Sequence, residues 1–215
     1  KTYQQRSALG PDGLAAAFEP LSWARAAALR GQALAWLGDA AGQIESVAEA
    51  VNALADVLGE LNRDHSPMDW ARVQTALAES LQALGEAGAS ERAYEQAVTC
   101  YDRAAMVLKE IPALALSAVS ASNRALCLAR SAELTGDLNV LDAAETAFRI
   151  ELTTMSPGRD PTAWALLQVN LARLYEARLD ITGRDRGERA AAACSLARAA
   201  LPDIRAALAK AAGGG

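Results

Sequence analysis

Apolar residues along this chain recur at a helical spacing. In PMDWARVQTALAESLQALGEAG, residues 67–88, Trp70, Val73, Leu77 and Leu81 stand three or four residues apart, which places them on one face of a helix. After a short polar break, Ala97, Tyr101 and Ala104 resume the same spacing. Pro67 suits the first turn of the earlier helix, where a missing N–H costs nothing. Gly85 and Gly88 mark where that helix must stop. The pattern predicts two helices of about 19 residues, each about 29 Å long, joined by a turn.

The same pattern is written elsewhere at a fixed interval. Trp23 precedes Trp70 by 47 residues, and Ala24, Arg25, Leu34, Leu37 and Gly38 meet Ala71, Arg72, Leu81, Leu84 and Gly85 at that offset. Ala50, Val51 and Leu61 likewise meet Ala97, Val98 and Leu108, and Leu54 meets Tyr101. Trp164 follows Trp70 by twice 47, with Ala165, Gln168, Leu171 and Ala172 matching Ala71, Gln74, Leu77 and Ala78. A weaker copy lies between them: VSASNRALC aligns at an offset of 49, with Val119 at the tryptophan position and Asn123 at the glutamine. Ala144 and Phe148 then follow Ala97 and Tyr101 by 47. Four units are therefore expected, near 20–66, 67–111, 112–160 and 161–210, opening near Pro20, Pro67, Pro112 and Pro161. A segment with a short helix (1–19) precedes them and a tail (211–215) follows. One hairpin cannot bury both its faces, so the units must stack on one another. The expected fold is all-α, a solenoid of about four antiparallel helical hairpins with a period of about 47.

The Leu-Ala pairs of the first helices (Leu77-Ala78, Leu171-Ala172) and the alternation of alanine and aromatic on the second (Ala97, Tyr101, Ala104) resemble the tetratricopeptide repeat. The prolines between units fit the same family. Its unit is about 34 residues, so this chain is similar to a long-unit bacterial type with Pro-x-x-Trp-Ala-x-x-Gln-x-x-Leu openings. HEAT-like repeats match the period but follow the Leu-Ala and Ala-aromatic pattern less well. The resemblance implies a right-handed solenoid whose first helices line a concave face. That face would take Arg25 and Gln32 from unit one, and Arg72, Thr75, Glu79 and Gln82 from unit two. Unit three would add Arg124 and Ser131, and unit four Arg173 and Glu176. One arginine per unit forms a broken ladder suited to an acidic peptide or protein segment. Asn170 and Arg173 resemble part of a carboxylate clamp, but no matching Lys/Asn set accompanies them. The implied role is a non-catalytic scaffold or adaptor. The alternatives are a self-assembling, homo-oligomeric module and a small-molecule sensor or enzyme with a site in the concavity.

Composition narrows the remaining classes. Hydrophobic residues are 52% and charged residues 22%, close to globular averages. Aromatics are only 5%, which favours helices packed through alanine over a β-sandwich. A net charge of −5 argues against nucleic acid as the partner. No apolar run reaches the roughly 18–20 residues that span a bilayer, and the first residues hold no signal core. Membrane insertion is therefore not expected. Cys100, Cys127 and Cys194 lie far apart, with no metal or redox spacing, and read as small apolar fillers. Free thiols suit a reducing, cytoplasmic setting.

Little points to catalysis or a cofactor. His65 is the single histidine, within NRDHSP between two units, and reads as a loop residue. No P-loop, GxGxxG, HExxH or nucleophile elbow occurs. ITGRDRGER, residues 181–189, mixes arginines with Asp185 and Glu188 and reads as a solvated loop. Trp36 lacks an aromatic counterpart, since Ala83 and Ala177 hold its position. Two readings stand for it: packing beneath DGLAAAFEP, or an aromatic offered to a ligand.

Overall fold

The computed structural model describes residues 20–111, 114–154 and 161–182, together with Ser156, Gly158 and separate positions between 191 and 209. The helix expected within 1–19, the Pro112 unit start, residues 183–189 of the arginine-bearing loop and the 211–215 tail lie outside the described residues. The described chain is all-helical: α1 (Pro20–Ala41), α2 (Ile44–Glu60), α3 (Pro67–Gly88), α4 (Glu91–Leu108), α5 (Leu114–Thr135), α6 (Leu138–Thr154) and α7 (Pro161–Thr182). Helices of 22 residues alternate with helices of 17 or 18. The long helices begin 47 residues apart and end 47 residues apart, α5 included. Its boundaries place the third repeat at an offset of 47, two residues from the 49 read through Asn123.

Packing follows chain order. In the first compact unit, which runs to Cys127, α1 packs on α2, α2 on α3 and α3 on α4, and α1 also touches α3. The second unit begins at Leu128 and pairs α6 with α7. Helix α5 contributes its first two-thirds to one unit and its last turns to the other.

Burial repeats with the sequence. Ala50, Ala97 and Ala144 are fully buried, as are Leu54, Tyr101 and Phe148 one turn further on. The small residue lets helices approach closely, and the large one fills the space beyond it. Ala24, Ala71 and Ala165 are buried on the long helices, each beside a half-buried tryptophan. Trp23 packs on the main core, and Trp70 joins Met68, Val107, Leu108 and Leu116 in a smaller one. A side-chain carbon added at Gly85 would lie 3.0 Å from the Tyr94 ring, which explains why α3 needs a residue without one there.

The turns between long and short helices reuse one device. Gly42, Ala89 and Gly136 stand 47 residues apart, and all three have left-handed backbone, with φ of 66°, 47° and 70°. At Ala89, its own N–H and that of Ser90 both donate to the Gly85 carbonyl and close the end of α3. Left-handed backbone costs an L-residue roughly 1–2 kcal/mol and costs glycine little. Ala89→Gly should therefore stabilise the first unit by about 1 kcal/mol, read as a raised denaturation midpoint. An unchanged or lowered midpoint would mean that the turn carries no strain.

Candidate partner-binding groove

Helices α1 and α3 lie side by side, and two adjoining cavities run along them. The first, of about 310 Å³, is floored by Ala24, Ala28, Val73 and Ala76, with Leu29, Leu61 and Leu116 at its sides. The second, of about 280 Å³, shares Gln32, Ala76 and Glu79 with the first, and continues past Trp36, Asp39, Ser80 and Gln82 to Glu86. Together they form one groove in the first unit. Six of the residues expected on a concave face meet there: Arg25, Gln32, Arg72, Thr75, Glu79 and Gln82.

Their states differ from one another. Arg25 makes a two-pronged pair with Asp69, Nε to Oδ1 at 2.9 Å and Nη2 to Oδ2 at 2.8 Å. Asp69 is buried and sits in the first turn of α3, where the helix dipole also favours a negative charge. Arg72 is exposed and has no ion pair among the described residues. Thr75 is buried; its hydroxyl lies 3.0 Å from the Ala71 carbonyl, to which it donates, and 3.1 Å from the Ser120 hydroxyl, so it ties α3 to α5. Gln82 accepts from the Tyr101 hydroxyl and the Cys127 thiol through Oε1 and donates to Glu86 through Nε2. Arg124 is directed outside the groove, to Asp102 on α4, at 2.6 Å. Two rungs of the expected arginine ladder are thus already paired within the fold.

Glu79 is half-buried between the two cavities and has no cation beside it among the described residues. Burial pushes its carboxyl above the ordinary 4.5. Between 4.5 and that raised value the folded chain binds more protons than the unfolded one, so this group's contribution to stability falls as pH rises. Glu79→Gln should melt higher than the wild type at pH 7, with the gap closing as pH drops through the raised value. A constant gap from pH 7 to pH 4 would rule this out.

The second unit holds Arg173 and Glu176, both exposed, in an open cavity of about 420 Å³ with Arg130, Glu133 and Asp180. Ser131 is buried and lines none of these cavities. The same unit contains a network that sequence reading did not anticipate. Arg178 is buried and pairs with Glu145 at 2.9 Å and with Asp142. Glu145 also meets Arg149 at 2.7 Å and accepts from the Tyr175 hydroxyl. Arg178 follows Leu174 and Tyr175 on a buried face, and an arginine at such a position implies a buried acid across from it.

Cys100 and Cys127 are buried and Cys194 is half-buried, all three free. Burial, with the Glu86 carboxylate nearby, pushes the Cys127 thiol up to about 12, which keeps it protonated. His65 is exposed, in a turn where Asn62 Oδ1 accepts from the Asp64 and His65 amides. Trp36 is 67% exposed and lines the groove; the DGLAAAFEP segment of its packing reading falls outside the described residues up to Glu19. Among the described residues no group of three or more His, Cys, Asp or Glu could hold a metal ion, and no helix is long and apolar enough to cross a membrane.

Comparisons with known proteins add a weak likeness. No family model matches the sequence, and no curated protein matches it. A solved structure described as "DHF58 filament" aligns over 85% of this chain and 94% of its own, at 19% identity and a TM-score of 0.43. A similarity that low carries no argument about assembly or role.

Proposed function

We propose that this chain is a non-catalytic scaffold of the tetratricopeptide-like type, stacking about four hairpins into a right-handed solenoid. It holds a segment of a partner protein in the groove of its first unit. Repetition of helix ends, left-handed turns and buried positions every 47 residues supports the repeat reading. One observation carries the function: the groove between α1 and α3 is open, floored by small apolar residues and edged by polar groups. A continuous trough of that kind suits an extended peptide, whose side chains fill the apolar floor while its polar groups meet the rims. Free thiols fit a cytoplasmic setting.

The test uses photo-crosslinking residues placed at Leu29 and Gln82 in the groove, and at Glu95 on the exposed side of α4, followed by irradiation in host lysate. One defined polypeptide should join at Leu29 and Gln82 but not at Glu95. It should be lost when Arg72→Glu and Glu79→Lys are combined in a protein that keeps its helical circular dichroism. Adducts only at Glu95 would remove the groove from the function. Adducts only with further copies of the chain would replace the scaffold reading with self-assembly.

A further inference from the structure

The groove is electrically ordered. At the end nearest the start of α3, the Arg25–Asp69 pair is self-neutralised and Arg72 is left as an exposed cation. At the other end Asp39 and Glu86 face the second cavity, Glu79 stands where the two cavities meet, and none of the three has a cationic partner among the described residues. Glu86 receives the neutral Gln82 amide, at 3.2 Å. Trp36 stands exposed in the same cavity, and an indole face beside carboxylates attracts guanidinium or ammonium groups. Between the two ends lie Leu29, Val73 and Ala76, with no charge among them.

Resting on the groove assignment above, we infer the chemistry of the segment it takes: an extended peptide with a carboxylate at one end and an arginine or lysine at the other. The carboxylate meets Arg72 and the cation enters the cavity of Trp36, Asp39, Glu79 and Glu86, with apolar side chains between them. Length follows from helix rise. Seven residues separate Arg72 from Glu79 and fourteen separate it from Glu86, or about 10 and 21 Å along the axis. An extended chain covers about 3.3–3.6 Å per residue, so the two charges stand about three to six residues apart. Either chain direction satisfies this order, because the recognised feature is where the charges lie. Three carboxylates against one unpaired arginine also shift the preferred partner: a purely acidic segment, which the arginines alone had favoured, would meet repulsion over half the groove.

A phage library of random nine-residue peptides, panned on the full chain, tests this. Enriched sequences should carry Asp or Glu and Arg or Lys at the stated spacing with apolar residues between. Synthesised and measured by fluorescence anisotropy, such a peptide should lose at least tenfold in affinity on Glu79→Gln/Glu86→Gln. A version with its cation replaced by Gln should be insensitive to that change. Replacing the peptide's cation with Glu should abolish binding to the wild type, and Glu86→Lys should restore it. Circular dichroism of each variant separates lost binding from lost fold. Enriched peptides that compete for the groove but show no opposed charges, or carry acids at both ends, would overturn the charge order and leave the groove reading standing. No enrichment, or peptides indifferent to Leu29→Asp and to both charge variants, would overturn both.

Discussion

Tyr101→Ala should destabilise the first unit by about 3–5 kcal/mol, the usual range for removing a buried aromatic side chain. The ring is fully buried and belongs to the cluster that holds Leu54, Leu77, Leu81, Tyr94 and Cys127. Leu54, Leu77 and Leu81 sit on α2 and α3, each packed against more than one helix, so they cannot close the space it leaves. The hydroxyl adds a hydrogen bond to Gln82 at 3.4 Å, and burial raises the phenol further out of its titrating range. Tyr101→Phe keeps the ring and should cost only about 1 kcal/mol. Phe148 holds the same place in the second unit without a hydroxyl, which identifies the ring as the structural requirement. Domains of this kind have about 5–15 kcal/mol in total, so the alanine variant should be near or past unfolding at 37 °C. Urea titrations of proteins keeping only Trp70 would follow the first unit, and proteins keeping only Trp164 the second. A loss below 1 kcal/mol at Trp70 would mean that the ring is not part of a close-packed core.

The second large effect is expected from Glu145→Leu. Arg178 and Glu145 are each 9% exposed in their side chains, so removing the carboxylate leaves a guanidinium away from water. Truncating one partner of a buried pair typically costs about 3–5 kcal/mol. Here the low end, about 3 kcal/mol, is expected, because Asp142 remains bonded to Arg178 and is itself well exposed. Arg149 would lose its partner too, but it is more than half exposed, and surface pairs contribute at most about 1 kcal/mol. Arg178→Met alone should cost comparably, since Glu145 would keep only Arg149 and Tyr175. The double variant Glu145→Leu/Arg178→Met should recover most of either loss, because two apolar groups need no partners. A double-mutant cycle on the second unit, followed at Trp164, reads the coupling directly. Additive losses would show that the pair does not act as a unit.

Much of the fold was legible in the sequence, and particular residues show why. The 47-residue offset joining Ala50 to Ala97 and Leu54 to Tyr101 became identical full burial in the structure. Gly85 and Gly88, read as helix stops, lie in the last turn of α3, and the left-handed position that ends it falls one residue later at Ala89, against its own preference. The third repeat was harder: Val119 stands where tryptophan was sought and is exposed, so its register emerged from the helix ends.

The candidate site was only partly legible. Arg25, Gln32, Arg72, Thr75, Glu79 and Gln82 could be assigned to one side of their helices, and they do line one groove. Their chemistry could not be read the same way. Arg25 is neutralised by a residue 44 positions on, Thr75 is bonded to one 45 positions on, and Arg178 is held by acids more than 30 positions back. Trp36 carried no repeat signature because Ala83 and Ala177 hold its position, whereas Asp39 meets Glu86, Glu133 and Asp180 at the 47-residue offset; both Trp36 and Asp39 border the groove.

The sequence by itself determined the helices, their period and the residues that face inward. Those depend on spacing within a few turns, where helical geometry relates every residue to its third and fourth neighbours. Only the tertiary structure decided which charges are spent on one another and which remain, leaving Arg72 at one end of the groove and Asp39, Glu79 and Glu86 toward the other. The reason is distance: a side-chain pair needs two groups within about 4 Å, and stacking alone brings residues 22 to 45 positions apart so close.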